Sequence, residues 1–129
     1  MARNNTISAT FQMAAGDSAS GFTESTNGAS FTSGDAVKIE GTIFNSGATV
    51  YDLNKYGIPQ ADGVYFENRD STNYVTLILK QGDGTVISTL LIAPKGVFMV
   101  RTDTDQAGIN QISLQADTAP CEFVLCLAE

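Results

Sequence analysis

The stretch Asn73-Tyr74-Val75-Thr76-Leu77-Ile78-Leu79-Lys80-Gln81-Gly82-Asp83-Gly84-Thr85-Val86-Ile87-Ser88-Thr89-Leu90-Leu91-Ile92 decides the fold class. Alternation places Val75, Leu77 and Leu79 on one face, directed inward, and Tyr74 and Ile78 on the other, as a half-buried strand requires. The link Gln81-Gly82-Asp83-Gly84 supplies the positive-φ positions of a tight reversal, so Leu77–Lys80 and Thr85–Ile92 form a hairpin. Working outward, Val37, Ile39 and Ile43 share one face of Val37–Phe44 while Lys38, Glu40 and Thr42 share the other. Val97–Arg101 and Cys121–Cys126 are the other strong strands. Turn signals recur between them, among them Asn45-Ser46-Gly47, Ala61-Asp62-Gly63, Pro94-Lys95-Gly96 and Asp105 to Gly108. No window keeps the three-to-four apolar spacing of a helix. Many short strands at such intervals imply a sandwich or a barrel.

With 129 residues and 43% hydrophobic content, the chain is expected to be one soluble domain, residues 1–129, with a real core and no second unit. The polar N-terminus, residues 1–6, reads as a flexible arm that orders only against a partner, with Arg3, Asn4 and Asn5 as candidate contacts. Ser18 to Ser33, rich in Ser, Thr, Gly and Ala, reads as edge strands or long loops. Seven Lys and Arg against fourteen Asp and Glu leave a net charge of -7, which repels phosphate and disfavours both nucleic acid and anionic membranes. The apolar run around Thr89 to Ala93 is too short to span a bilayer, and no signal region precedes it. Synthesis in the cytoplasm without a signal peptide is the expectation.

The chain contains no histidine, which removes the common general base near neutral pH, the usual zinc ligand and every Ser-His or Cys-His nucleophile pair. Asp103 with Asp105, and Glu67 with Asp70, are the nameable carboxylate pairs, but both sit beside turns, where carboxylates cap backbone amides. Asp103 to Gly108 opens like a calcium loop and then lacks its third oxygen ligand at Ala107 and its terminal Glu at Leu114. The glycines of Gly82-Asp83-Gly84 belong to a turn and not to a phosphate loop. Neither an enzyme nor a cofactor or metal site is expected. Cys121 and Cys126, five positions apart in one strand, would lie about 16 Å apart on opposite faces, beyond the ~7 Å a disulfide allows, so both read as reduced thiols, with an intersubunit disulfide or a reactive thiol as the alternative. The segment Val50 to Pro59 packs Tyr51, Leu53, Tyr56 and Ile58 into a loop. It either covers one end of its own sandwich or presents those four residues to another subunit.

Three pieces in order, Phe66-Glu67-Asn68-Arg69-Asp70-Ser71-Thr72-Asn73-Tyr74-Val75, Leu91 to Arg101 around Pro94-Lys95-Gly96, and Ser113-Leu114-Gln115-Ala116-Asp117, resemble the layout of small virion proteins of tailed bacteriophages. The likeness is to decoration, cement or head-fibre proteins, and it covers roughly residues 60 to 129. It implies an all-β fold, an antiparallel, jelly-roll-like β-sandwich of about 8–10 short strands. It further implies homotrimers or similar oligomers on the exterior of a virion capsid, bound to a major capsid protein and carrying no catalytic residues. The alternative is a carbohydrate-binding or receptor-binding module, such as a fibre domain, that uses Tyr51 and Tyr56.

Overall fold

The computed structural model describes residues 3–7, 10–13, 22–25, 29–33, 35–102 and 108–129, with side chains described at Thr6 and over 35–102 and 108–129. The strands are β1 (Arg3–Ile7), β2 (Thr10–Met13), β3 (Phe22–Ser25), β4 (Ala29–Ser33), β5 (Ala36–Ile43), β6 (Thr49–Asp52), β7 (Gly63–Asn68), β8 (Val75–Lys80), β9 (Val86–Ile92), β10 (Val97–Arg101), β11 (Gln111–Ala116) and β12 (Cys121–Ala128). One 3-10 turn, Leu53–Tyr56, follows β6.

Two four-stranded antiparallel sheets, β10-β7-β12-β5 and β6-β11-β8-β9, form the sandwich. Counting β5 as first and β12 as eighth, the sheets run first-eighth-third-sixth and second-seventh-fourth-fifth. That is the order of two Greek keys wound into a jelly roll, so the jelly-roll expectation holds for β5–β12.

The inward faces read from the sequence stand. Val75, Leu77 and Leu79 are buried, as is Ile43, and Val37 and Ile39 pack partly buried against the core. Phe66 and Phe123 stack across β7 and β12 at 6.2 Å between ring centroids and fill the centre with Leu125, Leu127, Ile112 and Leu114. The expected hairpin is β8–β9, closed by Gln81 N–H to Thr85 O (2.8 Å) and Gly84 N–H to Gln81 O (3.0 Å), with Gly84 at φ 89°. Its register shifts between Leu79 and Lys80, where Ile87 is the extra residue, a β-bulge that the alternation pattern alone did not announce.

Arg3–Thr6 belong to the expected N-terminal arm. These residues lie in β1, whose backbone pairs with β4 of the same chain from Arg3↔Ser33 to Ile7↔Ala29. A run of Arg, Asn, Thr and Ile offers no core face of its own, but its amides and carbonyls are satisfied by a ladder as well as by a partner. β2 pairs with β3 in the same antiparallel way, so the described parts of the Ser-rich segment are two-stranded ribbons.

The three pieces that carry the layout resemblance meet at one end of the sandwich. Asn68, fully buried, donates through Nδ2 to the carbonyls of Asn73 (2.9 Å), Ala93 (3.1 Å) and Ile92 (3.3 Å), and its Oδ1 accepts from Asp70 N–H at 3.0 Å. Asp70 Oδ1 accepts from the backbone of Thr72 (2.7 Å) and Asn73 (2.5 Å), an Asx corner that aims the chain into β8. The Pro94-Lys95-Gly96 turn docks on it: Lys95 N–H donates to Asp70 O and Asn68 N–H donates to Gly96 O. Asp117 N–H, after β11, donates to Tyr74 O at 3.1 Å. The Asn-x-Asp spacing is therefore a fold-closing device.

Candidate interaction surface

Register defines the outward face of β6-β11-β8-β9. Ile112 and Leu114 of β11 and Leu77 and Leu79 of β8 point into the core, so their neighbours point out. Cross-strand rows on that outward face are Asp52–Gln111–Lys80–Val86, then Val50–Ser113–Ile78–Thr89, then Gln115–Thr76–Leu91. The last row stops at β11, because β6 begins at Thr49. Val50 is 52% exposed and Leu91 68%. Ser113, although it faces outward, is buried between its row neighbours Val50 and Ile78. Only Asp52 and Lys80 carry charge in these rows.

The outward face of the other sheet is chemically opposite. Its rows place Lys38, Cys126, Tyr65 and Met99 side by side, then Glu40, Val124, Glu67 and Val97. Lys38 pairs with Glu40 at 2.9 Å, and Arg69 reaches both Glu40 (3.6 Å) and Glu67 (3.7 Å). The hydrogen bond from Lys38 and its charge hold the Glu40 carboxyl below its ordinary range. The Tyr65 hydroxyl donates to Glu67 at 3.1 Å, and burial together with that carboxylate raises its pKa. This charge ladder covers Val124, which is buried despite facing out. Beside it lies a depression of about 440 Å³ lined by Thr6, Val37, Lys38, Tyr65, Met99 and Cys126.

The candidate contact residues separate. Leu53 and Ile58 are fully buried and belong to the chain's own core, which removes them from any contact surface in the folded chain. The reason is local. Asp52 caps the 3-10 turn by accepting from Asn54 N–H (3.2 Å), Gly57 ends it at φ 77°, and Leu53 N–H donates to Asn110 O while Ile58 N–H donates to Leu53 O. The segment thus folds over the sandwich end. Tyr51 is half-buried, 6.0 Å from Phe123 and 6.3 Å from Tyr56 between centroids, and burial raises its pKa. Tyr56 is exposed. Arg3, Asn4 and Asn5 lie in β1, and their side chains are outside the described residues.

Both cysteines are free. Cys121 is buried inward, with its thiol near the carbonyls of Ala119 and Asn73, and Cys126 faces outward beside Lys38 and Tyr65. Burial raises the pKa of each thiol. Asp70 of the Glu67 and Asp70 pair is spent on backbone amides, which lower its pKa, and Glu67 on Tyr65 and Arg69. Asp103 and Asp105, with most of the calcium-like loop, lie outside the described residues. Among the described residues no group of three or more His, Cys, Asp or Glu is placed to hold a metal ion, and no helix is long and apolar enough to cross a membrane.

These features define a jelly-roll sandwich with one charged and one nearly uncharged outer face. The fold is similar to that of a chain from the Bacillus endospore appendages described as a novel family of disulfide-linked pili, at 23% sequence identity and a TM-score of 0.47, over 73% of this chain and 83% of that one. No protein-family model matches the chain, and no curated protein matches it. The tailed-phage resemblance of the sequence gains no support from these comparisons.

Proposed function

We propose that this chain is a structural protein that works by burying surface in an assembly, and that the assembly is a tailed-bacteriophage virion in which it decorates or cements the exterior of the head shell. Its partners in this reading are other copies of itself and a major capsid protein. The observation that carries the structural role is the outward face of β6-β11-β8-β9, where Val50, Ile78 and Leu91 stand among Ser, Thr and Gln with two charges of opposite sign. A solvated antiparallel face normally carries scattered charge, as the other sheet does here, whereas charge is depleted where a surface is covered. The phage setting rests on the layout resemblance over residues 60 to 129. The absence of histidine and the -7 charge favour a role without catalysis, nucleic acid or membrane.

The test is co-sedimentation of the purified chain with shells assembled from the major capsid protein of the same genome. Saturable binding in fixed ratio to shell subunits is expected. A chain left wholly in the supernatant at micromolar concentration contradicts the shell role. A second reading, glycan binding, is favoured by the exposed Tyr56 beside half-buried Tyr51. It requires glycan-array signal that disappears in Tyr56→Ala.

A further inference from the structure

We propose that the outward face of β6-β11-β8-β9 is a two-fold interface between two copies of this chain, with the axis lying in the interface plane along β11. This deepens the structural reading by naming the partner and the symmetry for that face, in place of the three-fold arrangement the resemblance implies.

β6 and β8 flank β11 on either side, about 4.8 Å away each. In one cross-strand row Asp52 of β6 and Lys80 of β8 stand on opposite sides of Gln111, and in the next Val50 and Ile78 stand on opposite sides of Ser113. A two-fold axis along β11 turns a second copy over so that its β8 lies opposite the first copy's β6 at the same height. Asp52 then meets Lys80 of the second copy, Val50 meets Ile78, and each pairing occurs twice because an isologous interface repeats its contacts. Gln111 and Ser113 face their own counterparts across the axis. An in-plane axis across the strands keeps every strand over itself, so Asp52 stays over β6, Lys80 stays over β8, and the opposite charges never meet. Of these two axes the one along β11 is electrostatically self-complementary.

Charge also selects the occupant. The chain carries -7 overall, yet the two charges in these rows cancel. A basic partner would be drawn to the acidic remainder of the molecule, whereas a second copy meets a neutral, matched surface here. Stacked sheets of this kind sit about 10 Å apart with strand directions within about 30°. About that axis β6, β11 and β8 overlap the second copy while β9 lies outside the seam, so three strands by about six residues cover roughly 300 Å² per copy, well under half of the ~800 Å² per partner of a stable interface. The dimer is therefore weak in dilute solution and becomes populated where copies are held at about millimolar effective concentration, as on a shell lattice.

Sedimentation equilibrium of the full chain from about 10 µM to about 1 mM tests this, a range that brackets a weak dimer. The weight-average mass is expected to climb from monomer toward twice that value. Lys80→Glu sets like charges against each other twice and is expected to weaken association about tenfold or more, and Asp52→Lys does the same. The chain carrying both exchanges restores the pairing and is expected to recover most of the wild-type association. Asp52 also caps the turn at Asn54, so thermal melting accompanies each variant, and Lys80→Glu, which touches no cap, is the primary single exchange. A folded wild type that stays monomeric to about 1 mM overturns the proposal, as does a double variant no better than the singles. A monomer that nevertheless co-sediments with shells overturns this interface alone, and a charge-exchangeable dimer that ignores shells overturns the shell role alone.

Discussion

Replacing Asn68 with alanine removes the amide that ties the Asx corner, the end of β9 and the Pro94-Lys95-Gly96 turn together. Its Nδ2 carries two protons and serves three carbonyls, those of Asn73, Ala93 and Ile92, while Oδ1 serves Asp70 N–H. Two donated bonds and one accepted bond are therefore effectively lost, at about 1 kcal/mol each if the freed groups find water. Ile92 O is the buried one of the set. Left without a partner it adds about 1–3 kcal/mol, which brings the expected loss to roughly 4–6 kcal/mol. Against a total of about 5–15 kcal/mol that is a large fraction. The chain has no Trp and four Tyr, so urea unfolding is followed by far-UV circular dichroism and tyrosine emission. The midpoint should fall with an unchanged m-value, since the same surface is exposed on unfolding. A loss under about 1 kcal/mol would refute the claim that this amide closes the fold. Asn68→Asp, which keeps the acceptor but sets a carboxylate against three carbonyls, should be worse than alanine.

Other expectations follow from neighbouring features. Gly96→Ala places a Cβ 2.8 Å from Ala93 O and 3.0 Å from Ile92 Cγ2, so the turn must shift, at about 1–3 kcal/mol on a thermal melt. In the native chain iodoacetamide should alkylate Cys126 and spare buried Cys121, with the Cys126 rate still rising above the ordinary thiol range because burial raises its pKa. Equal labelling of both would contradict the placement of β12. Asp70 titrates below its ordinary value of 3.8 because Asn73 and Thr72 amides hold its carboxylate. Its contribution to stability is thus fully present above pH 3.8 and is lost as pH falls through the lower folded value, and Asp70→Ala should show a shallower acid loss over that window.

Much of the sandwich was legible in the sequence because strand alternation reports burial directly. β5 and β8 read correctly from apolar residues on one face and largely polar ones on the other, β9 from its Gly-rich hairpin link, and β10 and most of β12 from their apolar runs. β6, β7 and β11 did not stand out. β6 is only four residues long, β7 begins on glycine inside a turn signal, and β11 alternates Ile112, Leu114 and Ala116 with Ser and Gln across barely three pairs. For Leu53 and Ile58 the sequence leaves both a loop covering its own sandwich and a partner contact open because a 3-10 turn has no periodic signature, and the turn bonded to Asn110 settles them as buried. The nearly uncharged face was invisible for another reason. Alternation separates inside from outside, but it does not say that β6, β11 and β8, which lie far apart in the chain, share one sheet. The Asn68 and Asp70 corner did carry a signal, an Asx pattern before a strand, whose meaning is structural.

The proposed structural role in a phage shell is tested most directly by a cryo-electron microscopy reconstruction of the particle proposed to contain this chain. The account predicts density for the eight-stranded sandwich β5–β12 at regular positions on the outer surface of the shell. A shell whose exterior is bare, with the chain recovered only in the unassembled fraction, would contradict it.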